Sequence, residues 1–271
     1  MPRSSIVFVL LIIILAGNSI DLQGVCAMKV IAHRGDSSHF PENTLAAFES
    51  ALKKGSDLVE LDSHDTKDGV LVVLHDSKLD RTTNSESVFG KTDVLVSKVT
   101  LDQIRLLDAG SWKSDQFKGE PLPTLEASLK VIQASSTTLL ERKAGTALSH
   151  AKLIKKLGYT DKLVVQSFDW DFLAALKVWL PGVQMAALGG EDVTRSQLED
   201  LKLLDIPTVA WNHEKLTSEA VAMIHENGFK LWAWTVDEPA EWQRLVDLKL
   251  DGIITNRPGE LSAWLKEHGI R

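Results

Sequence analysis

From Lys29 onward the chain alternates two kinds of hydrophobic pattern. Short apolar or β-branched runs recur at 30–33, 58–62, 138–141, 163–167, 184–188, 208–211, 231–235 and 252–255. Runs of this length, apolar without regular polar alternation, suit strands covered on both faces. Between and after them, apolar residues repeat at three- and four-residue steps over 44–53, 125–133, 146–157, 169–180, 194–203, 218–227, 239–248 and 259–268. That is the period of a helix with one buried face. Eight strands and eight helices in strict alternation predict an α/β chain closed into a parallel (β/α)8 TIM barrel. An open doubly wound sheet is the alternative, but it commonly ends at about five or six strands. Punctuation supports the divisions: Asn43 or Thr44 caps the first helix after Pro41, and Pro239 and Pro258 stand where a first helical turn tolerates proline. One stretch breaks the repeat. Residues 63–123 are too long for a plain turn after the second strand, and they hold their own apolar run at 70–74 and a polar tract carrying Phe89, Trp112 and Phe117. They are expected to form a small insertion, a cap rather than a second domain.

The first 27 residues differ from the rest. Arg3 precedes an unbroken apolar run over 6–16, and a polar stretch then leads to Val25-Cys26-Ala27. The run is shorter than the roughly 20 residues that span a bilayer. A basic start, a short apolar run and a small-residue end describe a secretory signal peptide over 1–27, cleaved after Ala27. Residues 28–271 would then be a secreted or periplasmic domain with no stable membrane insertion. An uncleaved anchor is one alternative, and a cytoplasmic protein starting at Met28 is the other.

Charge and cysteine content narrow the partners. The chain has 271 residues, with 30 Lys and Arg against 37 Asp and Glu, a net charge of −7. Losing Arg3 and Asp21 with the leader leaves that figure unchanged. The acidic balance argues against nucleic acid or an anionic bilayer as partner. The single cysteine, Cys26, excludes an intramolecular disulfide and a thiolate zinc site.

In a TIM barrel, chemistry sits where strands run into their following loops. The first strand ends in His33-Arg34-Gly35. The second ends in Glu60-Leu61-Asp62, whose carboxylates, two residues apart, project to one side of the strand. Two converging carboxylates are costly in a low dielectric unless a cation joins them, and oxygen donors favour a hard ion, Mg²⁺ or Ca²⁺. The next barrel strand ends in Glu141-Arg142-Lys143, again an acid and a base two apart, and the insertion offers Leu74-His75-Asp76. Taken alone, Glu141 and Lys143 would equally suit a surface ion pair. One divalent cation with Arg34 and Lys143 suits a phosphate, and two histidines can donate and accept protons near neutral pH. Together these groups describe hydrolysis of a phosphoester.

The motifs Ile31-Ala32-His33-Arg34-Gly35, Pro41-Glu42-Asn43-Thr44, Glu60-Leu61-Asp62, Thr66-Lys67-Asp68-Gly69 and His75-Asp76 resemble the glycerophosphodiester phosphodiesterase family in order and spacing. Later segments agree: Leu122-Pro123-Thr124-Leu125-Glu126, Glu141-x-Lys143, Ser167-Phe168-Asp169, Trp234-Thr235-Val236 and Asp251-Gly252-Ile253-Ile254-Thr255. The resemblance implies a TIM barrel with a small insertion after strand two. Glu60, Asp62 and Glu141 would be metal ligands, His33 and His75 the acid–base pair, Arg34 and Lys143 the phosphate clamp, and Trp234 a contact to the glycerol or alcohol side. The implied reaction is metal-dependent hydrolysis of a small-molecule glycerophosphodiester to glycerol 3-phosphate and an alcohol. A lysophospholipase D, using Phe89, Trp112, Phe117 and Trp211 as an apolar rim, is the alternative enzyme; a non-catalytic phosphodiester-binding module is the alternative of another class. Three positions depart from the family pattern: Arg142 between the glutamate and lysine, Asn256 where aspartate is common, and His39 in the loop expected nearest the pocket. Arg142, facing outward, is expected to need a carboxylate partner or an exit to solvent. Glu42 is expected to brace Arg34 or the helix start, and His64, His150, His213, His225 and His268 to lie at the surface or behind the site.

Overall fold

Side chains alternate along each strand, and this parity decides which residues fill the barrel and which reach its mouth. The computed structural model describes residues 28–271; the expected signal sequence, 1–27, lies outside the described residues. The chain runs from β1 (Lys29–Ala32) through α1 (Leu45–Lys53) to β2 (Leu58–Asp65), which folds back as a hairpin into β3 (Leu71–Val73). Two short helices, α2 (Ser85–Phe89) and α3 (Leu101–Ile104), precede α4 (Leu125–Ile132). Strands and helices then alternate: β4 (Thr137–Arg142), α5 (Ala147–Leu157), β5 (Leu163–Ser167), α6 (Trp170–Trp179), β6 (Gln184–Gly189), α7 (Arg195–Leu203), β7 (Thr208–Asn212), α8 (Ser218–Glu226), β8 (Lys230–Trp234), α9 (Pro239–Asp247), β9 (Gly252–Thr255) and α10 (Pro258–Glu267). All strands but β3 are parallel to their neighbours, and the sheet closes where β1 pairs with both β2 and β9. The fold is a (β/α)8 TIM barrel. Among the described residues no helix is long and apolar enough to cross a membrane.

Helix starts follow from local chemistry. The side chains of Thr44, Thr124, Thr146, Asp169, Thr194 and Thr217 each accept a hydrogen bond from a backbone N–H in the first turn, satisfying a donor the helix leaves free. Two barrel helices lacking such a cap, α9 and α10, begin with Pro239 and Pro258, whose missing N–H needs no partner.

Two apolar layers result. Ile31, Leu58, Leu139, Val164, Trp232 and Ile254 point into the barrel. Their neighbours, such as Val30, Val59, Leu61, Leu140 and Val165, point outward against the helices. Trp211 belongs to the outer layer, not to the mouth, where the sequence had suggested it. It follows the inward Ala210, so it faces the helices and is fully buried, and Gly189 leaves the space that a Cβ would take from its ring.

β2 runs three residues past its predicted end because β3 pairs with it, Ser63 with Val73 and Asp65 with Leu71. Beyond the hairpin, Val72, Leu74, Leu79, Val94, Val96 and Ile104 form a satellite core. Phe89 packs on that core and Phe117 against Phe40, at 5.3 Å between ring centres, while Trp112 borders a recess that also takes in His33 and Arg34. With Trp211 buried elsewhere, of these four aromatic residues Trp112 alone stands beside the His33 and Arg34 end of the barrel. His150, expected near the surface or behind the site, is fully buried between the Ser63 hydroxyl and the Thr146 carbonyl, each 2.9 Å away. Arg142 meets its expected carboxylate partner, Asp169 Oδ2, at 2.9 Å, with its guanidinium over the Phe172 ring.

Candidate active site

Two-residue steps from the barrel interior lead to the mouth. Inward Ile31 is followed by His33, Leu58 by Glu60 and Asp62, Leu139 by Glu141 and Lys143, and Trp232 by Trp234. The hairpin carries His75 to the same rim, because Leu74 N–H donates to the Asp62 carbonyl at 3.1 Å. All eight residues singled out from the sequence therefore meet at one end of the barrel. Six of them line a cavity of about 110 Å³. Glu60 and Asp62 lie buried beside Glu141, and the three carboxylates each offer an oxygen within 4.8 Å of the others. A wider trough of about 810 Å³ beside α4 and α5 contains none of these groups.

Each of the two β2 carboxylates has one oxygen held and one free. Glu60 Oε2 accepts from the Arg34 backbone N–H at 2.8 Å, whereas its buried Oε1 has no hydrogen-bond partner. Asp62 Oδ2 accepts from the Asn43 amide at 2.8 Å and lies 3.3 Å from Arg34 Nε, whereas Oδ1 is buried without a hydrogen-bond partner. The loop that achieves this needs unusual backbone: Arg34 and Asn43 both have positive φ. Between them Gly35, at φ 84°, approaches Ala47 so closely that a Cβ would lie 2.7 Å from its carbonyl carbon. Burial and mutual repulsion push Glu60 and Glu141 well above the usual carboxylate range. Orphaned oxygens on clustered, all-oxygen donors fit a hard divalent cation, which would reverse that penalty.

The cations and histidines stand around this cluster. Lys143 Nζ lies 2.8 Å from Glu141 Oε1 and 3.3 Å from His75 Nε2. Arg34 is braced by Glu42 at 2.8 Å, the role expected for that glutamate. Glu42 is held down to about 2: burial acts to raise it, but Arg81 and Arg34 outweigh burial. His33 is pushed down to about 4 by burial and by the neighbouring Arg34. Its ring is therefore neutral at pH 7, and its tautomer is fixed. Asn256 Nδ2 donates to Asp237 Oδ2 at 2.6 Å, which turns Asn256 Oδ1 toward His33 Nδ1 at 2.7 Å. That oxygen can only accept, so Nδ1 carries the proton and Nε2 keeps its lone pair. His75 Nδ1 lies 2.7 Å from Asp76 Oδ1, and a carboxylate likewise fixes the proton there. Phe168, half exposed, meets Trp234 edge to face at 5.7 Å over the cavity.

Several residues here were not singled out as site groups from the sequence. Gln166 and Phe168 continue the inward parity from Val164, and Asn256 continues it from Ile254, so the two-residue step could have found them. Asn43, Asp76, Arg81 and Asp237 reach the site from loops, where parity carries no signal. His39 is not at the pocket. Its ring bonds Asp36 Oδ1 at 3.0 Å and faces Glu260 of α10, away from the cavity.

Known proteins share this arrangement over most of its length. A model of the glycerophosphoryl diester phosphodiesterase family matches residues 33–260. A glycerophosphodiester phosphodiesterase of Caldanaerobacter subterraneus subsp. tengcongensis is 34% identical over 247 residues, covering 89% of this chain and 98% of its own. Among solved structures, an Oleispira antarctica phosphodiesterase in complex with the product sn-glycerol-3-phosphate superposes with a TM-score of 0.81 at 28% identity, covering 88% of this chain and 96% of that one. A glycerophosphodiester phosphodiesterase from Agrobacterium tumefaciens superposes at 0.76, also 28% identical, covering 87% and 99%. The match runs from the His33 motif to the first turn of the last helix and takes in every group gathered at the mouth, so the chain belongs to the glycerophosphoryl diester phosphodiesterase family.

Proposed function

We propose that the protein hydrolyses glycerophosphodiesters to glycerol 3-phosphate and a free alcohol, using one divalent cation, Mg²⁺ or Ca²⁺. The observation that carries this reading is the pair of orphaned oxygens on Glu60 and Asp62, beside Glu141 and within reach of Arg34 and Lys143. Glu60, Asp62 and Glu141 would hold the ion, which would supply positive charge against the phosphate oxygens. Arg34 and Lys143 bind the phosphate. In the free site Lys143 spans Glu141 and His75, so a phosphodiester arriving there gives its ammonium a new anionic partner.

The two histidines sit in opposite surroundings, which separates their roles. Neutral His33, with Nε2 free, is placed to take the proton of the attacking oxygen, whether water or the neighbouring glycerol hydroxyl. His75 holds its Nδ1 proton toward Asp76, and its Nε2, which accepts from the Lys143 ammonium, opens to the mouth when Lys143 turns to the phosphate. Once protonated there, Nε2 gives that proton to the alcohol oxygen as its bond to phosphorus breaks. Trp234 and Phe168 offer apolar surface to the glycerol carbons. A cavity of about 110 Å³ against Trp234 suits a short polyol phosphate, and of the four aromatic residues expected at an apolar rim Trp112 alone borders the mouth, which favours this substrate over a lysophospholipid.

The test is direct. The chain from Met28, supplied with Mg²⁺ or Ca²⁺, is expected to release glycerol 3-phosphate from glycerophosphocholine faster than it cleaves lysophosphatidylcholine. Preference for the lysolipid would overturn the substrate assignment.

A further inference from the structure

Arg81 comes from the loop after the hairpin, outside every motif to which the reaction assigns a role, yet its guanidinium occupies a central position. Its Nε and Nη2 donate to the two oxygens of Asp76 at 2.7 and 3.1 Å. Its Nη1 and Nη2 donate to the two oxygens of Glu42 at 3.0 and 2.8 Å. Each carboxylate then holds a group at the mouth: Asp76 Oδ1 lies 2.7 Å from His75 Nδ1, and Glu42 Oε1 accepts from Arg34 Nη1 at 2.8 Å. One side chain thus ties His75, delivered by the hairpin, to Arg34, delivered by the loop after β1.

We propose that Arg81 is a positioning residue for both halves of the reaction, orienting His75 through Asp76 and Arg34 through Glu42. The part concerning His75 rests on the reading of that histidine as the proton donor to the departing alcohol.

The geometry favours this over a purely structural role. Arg81 and Asp76 are about half and one-third exposed, and exposed ion pairs contribute little to stability. The guanidinium instead presents a rigid planar fork that meets four oxygens at once, and a lysine ammonium, a single point of charge, cannot reproduce it. The fork also spans the seam between the insertion and the barrel. β2 holds the two backbones, with Leu74 N–H on the Asp62 carbonyl and Arg34 N–H on Glu60 Oε2. Arg81 links the two side chains themselves, through Asp76 and Glu42, and so sets how proton donor and phosphate clamp are oriented toward each other. Misplacement of a reacting group by about 1 Å can cost on the order of 100-fold in rate.

A leaving-group comparison separates positioning from general damage. Choline leaves glycerophosphocholine only as its oxygen gains a proton, whereas the p-nitrophenyl ester of glycerol 3-phosphate releases a nitrophenolate that needs none. With the cation supplied, Arg81→Lys is expected to lower kcat on glycerophosphocholine by about 10- to 100-fold while leaving kcat on the nitrophenyl ester nearly unchanged. It should also raise KM for both substrates, because Arg34 is loosened. Asp76→Asn should reproduce the kcat effect without the KM effect, and it carries the same test should Arg81→Lys fold poorly. Equal losses of kcat on both substrates, or no loss on either, would overturn the proposal. His75→Ala is the control for the underlying reading. If it fails to discriminate between the substrates, His75 is not the donor and the role of Arg81 in proton transfer falls with it. If it discriminates and Arg81→Lys does not, the proposal alone fails.

Discussion

At the scale of single residues, the site is built from groups whose neighbours set their state before any substrate arrives. His33 is the clearest case: burial and Arg34 keep it neutral, and Asn256, itself turned by Asp237, fixes which nitrogen is free. His33→Ala should therefore lower turnover by about 100-fold or more, the usual span for a general base, with little change in the ion concentration required. Steady-state kinetics on the refolded or native variant checks this, and near-normal turnover would remove His33 from the reaction. The Asn256 substitution is compatible with that role because Asp237 supplies a carboxylate one hydrogen bond further out. The eight groups were legible because they stand at strand ends in recognisable motifs. Arg81, Asp76 and Asn43 were not, since what matters about them is which distant carboxylate or amide they meet, and that is decided only when the loops close over one another.

At the scale of elements, the alternation of strand and helix was readable almost to the residue, because buried parallel strands are uniformly apolar and helices announce their starts with Thr, Asp or Pro. The hairpin was less so. The last residues of β2 are Ser63, His64 and Asp65, polar types held in strand by β3, with β4 reaching only as far as Ser63. That pairing also brings Ser63 to His150 of α5, joining the hairpin to the helix layer. His150 is pushed down to about 4 by burial, so the folded ring stays neutral while the unfolded one gains a proton below about pH 6.5. Its contribution is fully present above pH 6.5 and is lost as pH falls toward 4, by up to about 3 kcal/mol. Urea unfolding of the wild type and His150→Gln at pH 7 and at pH 4.5 isolates the effect. The stability of the wild type relative to the variant should shrink at the lower pH, and a constant difference would show that His150 does not titrate in this way.

At the scale of the whole molecule, closing the barrel concentrates buried carboxylates that would repel one another on their own. Arg34 and Lys143 offset part of the cluster's negative charge, and a further cation is called for where Glu60 and Asp62 keep an oxygen free. Sequence could place these acids at strand ends. It could not show that one oxygen of each is held by the Arg34 backbone or by Asn43, which is what leaves the other free. The raised carboxylates mean that protons compete with the ion, so ion binding should tighten as pH rises.

The central claim is that this cluster holds the ion on which turnover depends. The measurement that meets it most directly is a titration of the chelated protein with Mg²⁺ and with Ca²⁺, following glycerol 3-phosphate release, for the wild type and for Glu60→Gln. Activity should vanish on chelation and return with one ion, and Glu60→Gln should need a concentration higher by about 10-fold or more, in line with the loss of a carboxylate from a metal site. Activity that survives chelation, or an unchanged titration for Glu60→Gln, would contradict the account.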